Sequence, residues 1–229
     1  MLRIYGVPFS VHTRKVIVAA NCKGLPFENI PVVPVIPGNP PPNWSELSPT
    51  GKIPVLQEGE RTIADSSVIC AYLDRAHAAQ PLYPSSDADY IEALWLEEFA
   101  DGTLFSEVLR PLVLQKFIRP TVHQLPADAQ VIEAVLDKPL PKAFAYLDSL
   151  AGKGVLAARE INVAQIAIAS NLVTFQYLGF AIDRQRYPHL ARFMDRMLMV
   201  PPMAQALRAE QPFAASFGLR DDFLRSMPA

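Results

Sequence analysis

The stretch from residue 48 to 56, Ser-Pro-Thr-Gly-Lys-Ile-Pro-Val-Leu, constrains the fold of this chain more than any other. Pro49 and Gly51 predict a turn, because proline presets one backbone angle and glycine tolerates positive ones. Pro54 precedes a short apolar run, and proline is tolerated at the first residue of a strand. The Ile53–Pro54 bond therefore belongs to an ordinary turn, or it is a cis bond that points the backbone groups of Ile53 toward an extended peptide ligand.

The chain up to about residue 79 predicts a small mixed sheet flanked by helices. Alternating runs, turns and cap signals predict a strand at 2–7, a helix at 10–22, a strand at 27–33, a hairpin at 55–64 and a helix after 65–67. Pro31 and Pro34 favour an edge position for the second strand, where a missing hydrogen-bond donor is tolerated. Asp65, Ser66 and Ser67 are typical of a helix N-cap.

The remainder of the chain predicts an all-helical domain. Residues 80–89, rich in proline, serine and aspartate, predict a linker between a first domain at 1–79 and a second at 90–229. Periodicity then predicts helices at 90–116, 127–151, 162–178, 188–199 and 202–209. Pro111 should bend or break the first of them. Asn162 and Gln165 are spaced as in a capping box, where each side chain binds the other's backbone N–H.

Composition and spacing argue against several classes of function. The net charge is −2 and the basic residues are scattered, so no surface for nucleic acid or anionic lipid is expected. Cys22 and Cys70 have no metal or redox spacing, so we predict buried thiols and no metal site. Residues 161–182 carry no charge, but polar side chains interrupt them, which favours a core helix over a membrane span. The N-terminal residues show no signal-peptide pattern.

The order of elements, the stretch at 48–56, Asp65-Ser66 after the hairpin and the box at 162–165 together resemble the cytosolic glutathione transferases. The resemblance spans the whole chain and points to the serine-type, bacterial or plant-like classes. It implies an α/β, thioredoxin-like N-terminal domain followed by an all-α C-terminal domain. It also implies a cytoplasmic homodimer that uses glutathione as co-substrate, without a metal, nucleic acid or membrane partner.

The resemblance assigns glutathione-binding roles in the first domain. The bond before Pro54 is cis in that family, and the backbone of the preceding residue, here Ile53, pairs with the cysteinyl part of glutathione. Asp65 and Ser66 match the acidic residue and serine that hold its γ-glutamyl end. A helix N-terminus suits this role, because it has free N–H groups and a positive dipole end. Simple helix capping is the alternative, and the two roles are compatible.

The resemblance places the thiol-activating hydroxyl at Ser10, with Thr13 as the alternative and Tyr5 too early in the strand. A thiol has a pKa of about 8.5 and attacks only as the thiolate. Lowering that pKa by about two units requires roughly 2.7 kcal/mol, and a hydrogen bond to an anion supplies about 1.5–3 kcal/mol. One hydroxyl at a helix N-terminus is therefore sufficient. We accordingly expect four histidines to be surface or packing residues: His12, His77, His123 and His189.

Two features depart from the family. Members often carry a basic or amide residue that reaches the glycyl carboxylate of glutathione, whereas residues 34–43 contain no basic side chain and only Lys52 is well placed. The box at 162–165 has Asn and Gln in place of the usual Ser or Thr and Asp. We predict that four residues of the long helix bind the electrophile: Phe105, Leu109, Arg110 and Phe117. These residues fit core or dimer contacts equally well.

Three functions follow as hypotheses. The first is a glutathione S-transferase that conjugates the glutathione thiolate to small apolar electrophiles. The second is a glutathione-dependent peroxidase or disulfide reductase, which would use the bound thiol because position 10 is not a cysteine. The third is a non-catalytic module of the same fold, which the lack of a basic side chain at 34–43 favours.

Overall fold

In the computed structural model, which describes residues 1–158 and 160–227, the N-terminal part is built on a four-stranded sheet. The strands are β1 (Leu2–Tyr5), β2 (Phe27–Ile30), β3 (Val55–Glu58) and β4 (Arg61–Ile63), in the order β2-β1-β3-β4. β1 is parallel to β2 and antiparallel to β3, and β3 forms a hairpin with β4. The predicted mixed sheet and the edge position of β2 are confirmed. β2 ends earlier than predicted, where Pro31 removes a donor.

Helices cover both faces of this sheet. α1 (Val11–Cys22) and α3 (Ser66–Ala76) contact each other on one face, and α2 (Trp44–Leu47) lies on the other. The second face has a small core of its own, formed by Tyr5, Val32, Trp44, Leu47 and Val55. The Tyr5 hydroxyl donates to Gln57 Oε1 at 3.1 Å. Tyr5 is therefore engaged on the face opposite α1, and that it does not activate a thiol stays a prediction.

The rest of the described chain is helical. Its elements are α4 (Asp87–Glu98), a π-helix π1 (Phe99–Leu109), α5 (Arg110–Val113), a second π-helix π2 (Leu114–Ile118), α6 (Arg119–Thr121), α7 (Ala129–Asp137), α8 (Pro139–Gly152), α9 (Val163–Tyr177), α10 (Pro188–Met199), α11 (Pro201–Ser216) and a 3₁₀ turn (Asp222–Ser226). The helix predicted at 127–151 divides before Pro139, which takes the first position of α8. α11 continues beyond the end predicted for it.

The long helix does not break at Pro111, which was one of the two outcomes predicted for this residue. Backbone angles stay helical at Leu109 (φ −73°, ψ −45°) and at Arg110 (φ −58°, ψ −48°). The helix instead widens into π1 before the proline, where the Arg110 N–H donates to Phe105 O, and into π2 after it. A proline ring clashes with the carbonyl four residues earlier in an α-helix. Because a π-helix pairs residues five apart, its wider turn relieves that clash.

The predicted linker packs against the helical part and is hydrogen-bonded to it. The Val163 N–H donates to Leu82 O at 2.9 Å, and Leu82 is fully buried. α4 begins at Asp87, within the predicted linker, because Ser86 caps it by accepting from the Asp89 N–H at 3.2 Å. The segment is therefore an ordered connection whose last residues are helical, while the domain boundaries themselves stay a prediction.

α9 is the central helix, and the uncharged stretch is confirmed as core. Every residue of α9 except Gln176 is buried. Asn162 Oδ1 accepts from the Gln165 N–H at 3.2 Å, and Gln165 Oε1 accepts from the Asn162 N–H at 3.0 Å. The predicted capping box is therefore confirmed. Within the described residues, no helix has both the length and the apolar character needed to span a bilayer.

Replacing Asn162 with alanine is expected to lower the free energy of unfolding by about 1 kcal/mol, because the first turn of α9 loses its side-chain acceptor. The midpoint of urea denaturation measures this loss. Asn162→Ser, which keeps a capping oxygen, is the matched control and should retain most of the stability. An unchanged midpoint in Asn162→Ala would show that the cap does not stabilise the fold.

Candidate functional site

Three segments meet at the N-terminal end of α1. β1 is followed by Gly6, whose φ of +148° is unfavourable for residues with a side chain. A Cβ at Gly6 would lie 2.4 Å from Thr13 Oγ1 and 3.2 Å from Ile53 Cβ. Only glycine therefore permits this approach, which brings the first turn of α1 and the residue before Pro54 against the end of β1.

Ile53 offers a stretch of unpaired backbone. The Ile53–Pro54 peptide bond is cis, as the resemblance implies. β3 begins only at Val55, and neither the N–H nor the C=O of Ile53 forms a hydrogen bond within residues 1–158 and 160–227. Both groups are therefore able to pair with an extended peptide that lies beside the start of β3.

The first turn of α3 carries the predicted γ-glutamyl site. Asp65 is the N-cap, and its Oδ1 accepts from the N–H groups of Ser67 and Val68, each at 3.0 Å. Asp65 is exposed, and its Oδ2 has no hydrogen bond to any described residue. The Ser66 hydroxyl also has no such bond, although the residue is largely buried. Capping and ligand binding are thus compatible, because they use different oxygens.

The two candidate hydroxyls for thiol activation differ in access. Ser10 is the N-cap of α1, is half-buried, and its side chain makes no capping hydrogen bond. Thr13 is completely buried, and its Oγ1 has no hydrogen-bond partner within the described chain. The first turn of α1 also contains no acidic residue. Of the two hydroxyls, only that of Ser10 is therefore accessible beside a helix N-terminus that favours an anion.

A buried arginine fixes the segment that carries Ser10. Arg14 is fully buried, and its Nε donates to both carboxylate oxygens of Glu210 at 2.9 Å. Nη1 donates to two oxygens of α9 at 2.7 and 3.0 Å. Nη2 donates to Phe9 O at 2.8 Å. Arg14 therefore links α9 and α11 to the carbonyl of Phe9, the residue that immediately precedes Ser10.

Lys15 is a second buried cation, and it connects α1 to α3, α4 and π1. Its Nζ donates to Glu97 Oε1 at 2.8 Å, to Ser67 Oγ at 2.9 Å and to Asp101. Burial opposes the charge of Lys15, but the facing carboxylates outweigh it and raise its pKa. Burial likewise opposes ionisation of Asp101, yet His12 and Lys15 hold the pKa of Asp101 at about 2. The Asp101 carboxyl group is therefore ionised throughout the physiological pH range.

Lys52 lies in the turn before Ile53, where a glycyl carboxylate is predicted. Its side chain is exposed and makes no hydrogen bond or ion pair with the described residues. Its carbonyl accepts from Ser48 Oγ at 2.7 Å, which fixes the backbone of the turn. In the preceding loop, Asn39 Oδ1 is already engaged by the Val33 N–H at 2.6 Å. Lys52 is thus better placed than Asn39 to meet an anion.

The four predicted electrophile residues are not equally accessible. Phe105 is half-buried and its ring lies against His12, with ring centroids 4.5 Å apart, while Arg110 is exposed. Leu109 is fully buried. Phe117 is also buried, and its ring packs edge-to-face against Phe9 and Phe217, each at a centroid distance of 5.7 Å. The rings of Phe9 and Phe217 lie 5.4 Å apart. Phe105 and Arg110 are therefore the members of the set with surface available to a ligand.

The sequence pattern did not indicate the charged residues of this region. Arg14 and Lys15 are adjacent in a helix that is apolar from Val16 to Ala20, a pattern that indicated only amphipathicity. Their partners Glu97, Asp101 and Glu210 lie far along the chain. The usable signal was two consecutive basic residues placed between apolar helix positions. Such residues indicate buried charges, and buried charges require partners.

The fold defines a protein with a thioredoxin-like domain followed by a helical domain, as predicted. Residues 4–81 match the family model described as the N-terminal domain of glutathione S-transferase, and residues 109–201 match the model of its C-terminal domain. The chain belongs to the glutathione S-transferase family, so the resemblance drawn from its motifs is confirmed.

Three relatives illustrate the range of this family. The chain is 30% identical over 165 residues to "Glutathione S-transferase 3" of Zea mays, which covers 71% of this chain and 73% of the relative. It is 27% identical over 199 residues to "Elongation factor 1-gamma 2" of Oryza sativa subsp. japonica, covering 84% of this chain and 45% of the relative. A solved glutathione S-transferase from Rhodospirillum rubrum F11 has a TM-score of 0.81 at 25% identity, covering 90% of this chain and 92% of that one.

Asp101→Asn tests the charged group around Lys15. Because the folded-state pKa of Asp101 lies below its ordinary value, its ionisation stabilises the fold above about pH 4, and this contribution is lost as the pH falls toward 2. The difference corresponds to about 2 kcal/mol. We expect Asp101→Asn to lose about that much unfolding free energy at pH 6 and to show a shallower decline on acidification.

Urea denaturation at a series of pH values measures both effects. Asp137→Asn, at an exposed aspartate at the end of α7, is the matched control and should leave the profile unchanged. If Asp101→Asn and Asp137→Asn gave the same profile, the ion pair of Lys15 with Asp101 would not stabilise the protein.

Proposed function

We propose that this chain is a glutathione S-transferase that conjugates the glutathione thiolate to small apolar electrophiles. The observation that carries the proposal is the accessible hydroxyl of Ser10, which has no capping partner at the N-terminus of α1. That hydroxyl donates to the cysteinyl sulfur and favours its anionic form. The unsatisfied N–H groups of the first turn and the helix dipole add to this preference.

The remaining contacts to glutathione follow the exposed groups of the site. The backbone N–H and C=O of Ile53 pair with the cysteinyl residue. Asp65 Oδ2 accepts from the α-ammonium of the γ-glutamyl end, and Ser66 donates to its carboxylate. Lys52 binds the glycyl carboxylate from the exposed turn before Pro54. In this arrangement both charged ends of the tripeptide meet a complementary group.

The two cysteines of the protein are poorly suited to react themselves, which favours bound glutathione as the source of the reacting thiolate. Burial raises the pKa of Cys22 to about 12, although the nearby Lys23 opposes the shift. Burial also raises the pKa of Cys70, which is fully enclosed. Because only a thiolate attacks, neither cysteine is a competent nucleophile at neutral pH. The glutathione sulfur beside Ser10 is therefore the reacting group of the proposal.

The electrophile is placed on the helical side of the cleft, with Phe105 and Arg110 as its proposed contacts and with Leu109 and Phe117 packed behind them. A homodimer that uses the outer face of α3 and α4 is part of the proposal. Large apolar side chains are exposed there, at 63% for Ile91, 56% for Trp95 and 55% for Val68. We place the protein in the cytoplasm, with detoxification as its role, as the resemblance implies.

Ser10→Ala is expected to lower kcat/KM for 1-chloro-2,4-dinitrobenzene at least tenfold, because the thiolate loses its hydrogen-bond donor. The pH of half-maximal rate should also rise, since the thiol then ionises at a higher pH. Thr13→Val, which removes a buried hydroxyl without a partner, is the matched control. Its rate should stay within twofold of the unchanged protein, whereas the opposite pattern would transfer the role to Thr13.

A non-catalytic binding module is the second candidate, because residues 34–43 lack a basic side chain and because "Elongation factor 1-gamma 2" is among the relatives. Retention on glutathione-agarose, with release by free glutathione, distinguishes the cases when combined with the rate assay. Retention together with turnover that depends on Ser10 supports the transferase. Retention without turnover of aryl halide, enone or disulfide substrates supports the binding module.

A further inference from the structure

His12 lies on the first turn of α1, two residues after Ser10. Its ring packs edge-on against Phe105 at a centroid distance of 4.5 Å. Its Nδ1 lies 3.5 Å from Asp101 Oδ1, and 22% of the side chain is exposed. The imidazole therefore contacts the proposed electrophile residue Phe105, and it belongs to the helix turn that follows Ser10, rather than lying on a free surface.

The two ring nitrogens of His12 have different environments. Nδ1 and the facing Asp101 Oδ1 are both buried, and neither has a hydrogen-bond partner within the described residues. Nε2 also makes no hydrogen bond there, but it is not one of the buried polar atoms. A carboxylate facing Nδ1 favours the hydrogen on that nitrogen and directs Nε2 toward the exposed side. Pairs of this kind are often long before substrate binds and shorten afterwards.

Asp101 is itself rigidly held, which makes it a suitable orienting group. Its other oxygen, Oδ2, accepts from Ser67 Oγ at 3.2 Å and from the Lys15 ammonium. Lys15 is in turn bound by Glu97. The charged groups around His12 are therefore Asp101 directly and Lys15 and Glu97 behind it. Oδ1 is left as the oxygen that faces the imidazole.

The local backbone also indicates a functional site. Asp101 and Phe105, the two residues that contact His12 from the helical part, both belong to π1. π-helical segments are rare and frequently occur at functional sites, because they redirect side chains that a regular α-helix would place differently. Because Asp101 and Phe105 are four residues apart, this segment presents a carboxylate and an aromatic ring on one side, toward the same imidazole.

We propose that His12, oriented by Asp101, is the proton donor for electrophiles that acquire a proton on oxygen during addition, namely α,β-unsaturated carbonyl compounds and epoxides. The inference rests on the proposed transferase function and assigns a further catalytic residue to that site. The electrophile lies with its apolar part against Phe105 and its oxygen at His12 Nε2. His12 is a catalytic residue in this scheme, and Asp101 is a positioning residue.

The step balances with the groups present. The thiol proton leaves to solvent when glutathione binds as the thiolate. A sulfur electron pair then forms the C–S bond at the β-carbon, and the π electrons shift to the carbonyl oxygen. That oxygen takes the proton from Nε2 of the His12 imidazolium, which leaves the neutral ring with its hydrogen on Nδ1. In an epoxide the C–O bond breaks and its oxygen takes the same proton. His12 is then reprotonated by water, whereas an aryl halide expels chloride and needs no proton.

The test compares two substrates, trans-2-nonenal and 1-chloro-2,4-dinitrobenzene, in the full-length protein. General acid catalysis contributes typically about 10²–10⁴-fold. In His12→Gln we expect the ratio of kcat/KM for the enal to kcat/KM for the aryl halide to fall at least tenfold. His123→Gln, at an exposed histidine, is the matched control and should leave this ratio unchanged. An unaltered ratio in His12→Gln would overturn the proposal.

The same experiment separates failure of this proposal from failure of the proposed function. If turnover of both substrates depends on Ser10 and the ratio of the two kcat/KM values is unchanged in His12→Gln, only the role of His12 is lost. If the unchanged protein turns over neither substrate with glutathione, the transferase function fails and the proposal fails with it.

A spectroscopic measurement tests the positioning role of Asp101 independently of activity. Nitrogen-15 NMR of the imidazoles, assigned by comparison with His12→Gln, should show that the neutral form of the His12 ring carries its hydrogen on Nδ1, which leaves Nε2 as the nitrogen that gains and loses the proton. Asp101→Asn should shift the tautomer population of His12 and lower the same substrate ratio. A tautomer population of His12 that does not respond to Asp101→Asn would overturn the assignment of Asp101.

Discussion

The buried guanidinium of Arg14 is the interaction on which the arrangement of this protein depends. A fully buried charge is costly unless it is paired and hydrogen-bonded. Arg14 meets this requirement with the Glu210 carboxylate, two oxygens of α9 and the carbonyl of Phe9. Because these partners belong to both parts of the chain, the first turn of α1 cannot adopt its position unless the helical part is folded against it.

α1 is consequently shared between the two parts of the molecule. Arg14 reaches α9 and α11, and the adjacent Lys15 reaches α3, α4 and π1. Successive residues on a helix point about 100° apart, so two neighbouring cations can serve two different interfaces. The proposed thiolate site at Ser10 lies at the start of this doubly anchored helix. Its geometry is therefore set by residues that never contact the ligand.

The relatives of this chain include, by name, a transferase and an elongation factor, so the fold alone does not define the chemistry. What distinguishes a catalytic member is the set of groups left unpaired at the site. In this chain those groups are the Ser10 hydroxyl, the backbone of Ile53 and the second oxygen of Asp65. They are the basis for preferring an enzyme over a binding module.

Local signals in the sequence determined the four strands along the chain, the turn before β3, the cap of α3 and the capping box at Asn162, because each depends on residues only a few positions apart. Resemblance to a family supplied the candidate roles of Ser10 and Asp65, which spacing alone left open. Only the tertiary structure decided that the long helix continues through Pro111 between two π-helical segments, that Arg14 and Lys15 are buried, and that Asp101 faces His12. These features depend on groups distant in sequence whose charges and volumes must be accommodated together, and no local pattern encodes that pairing.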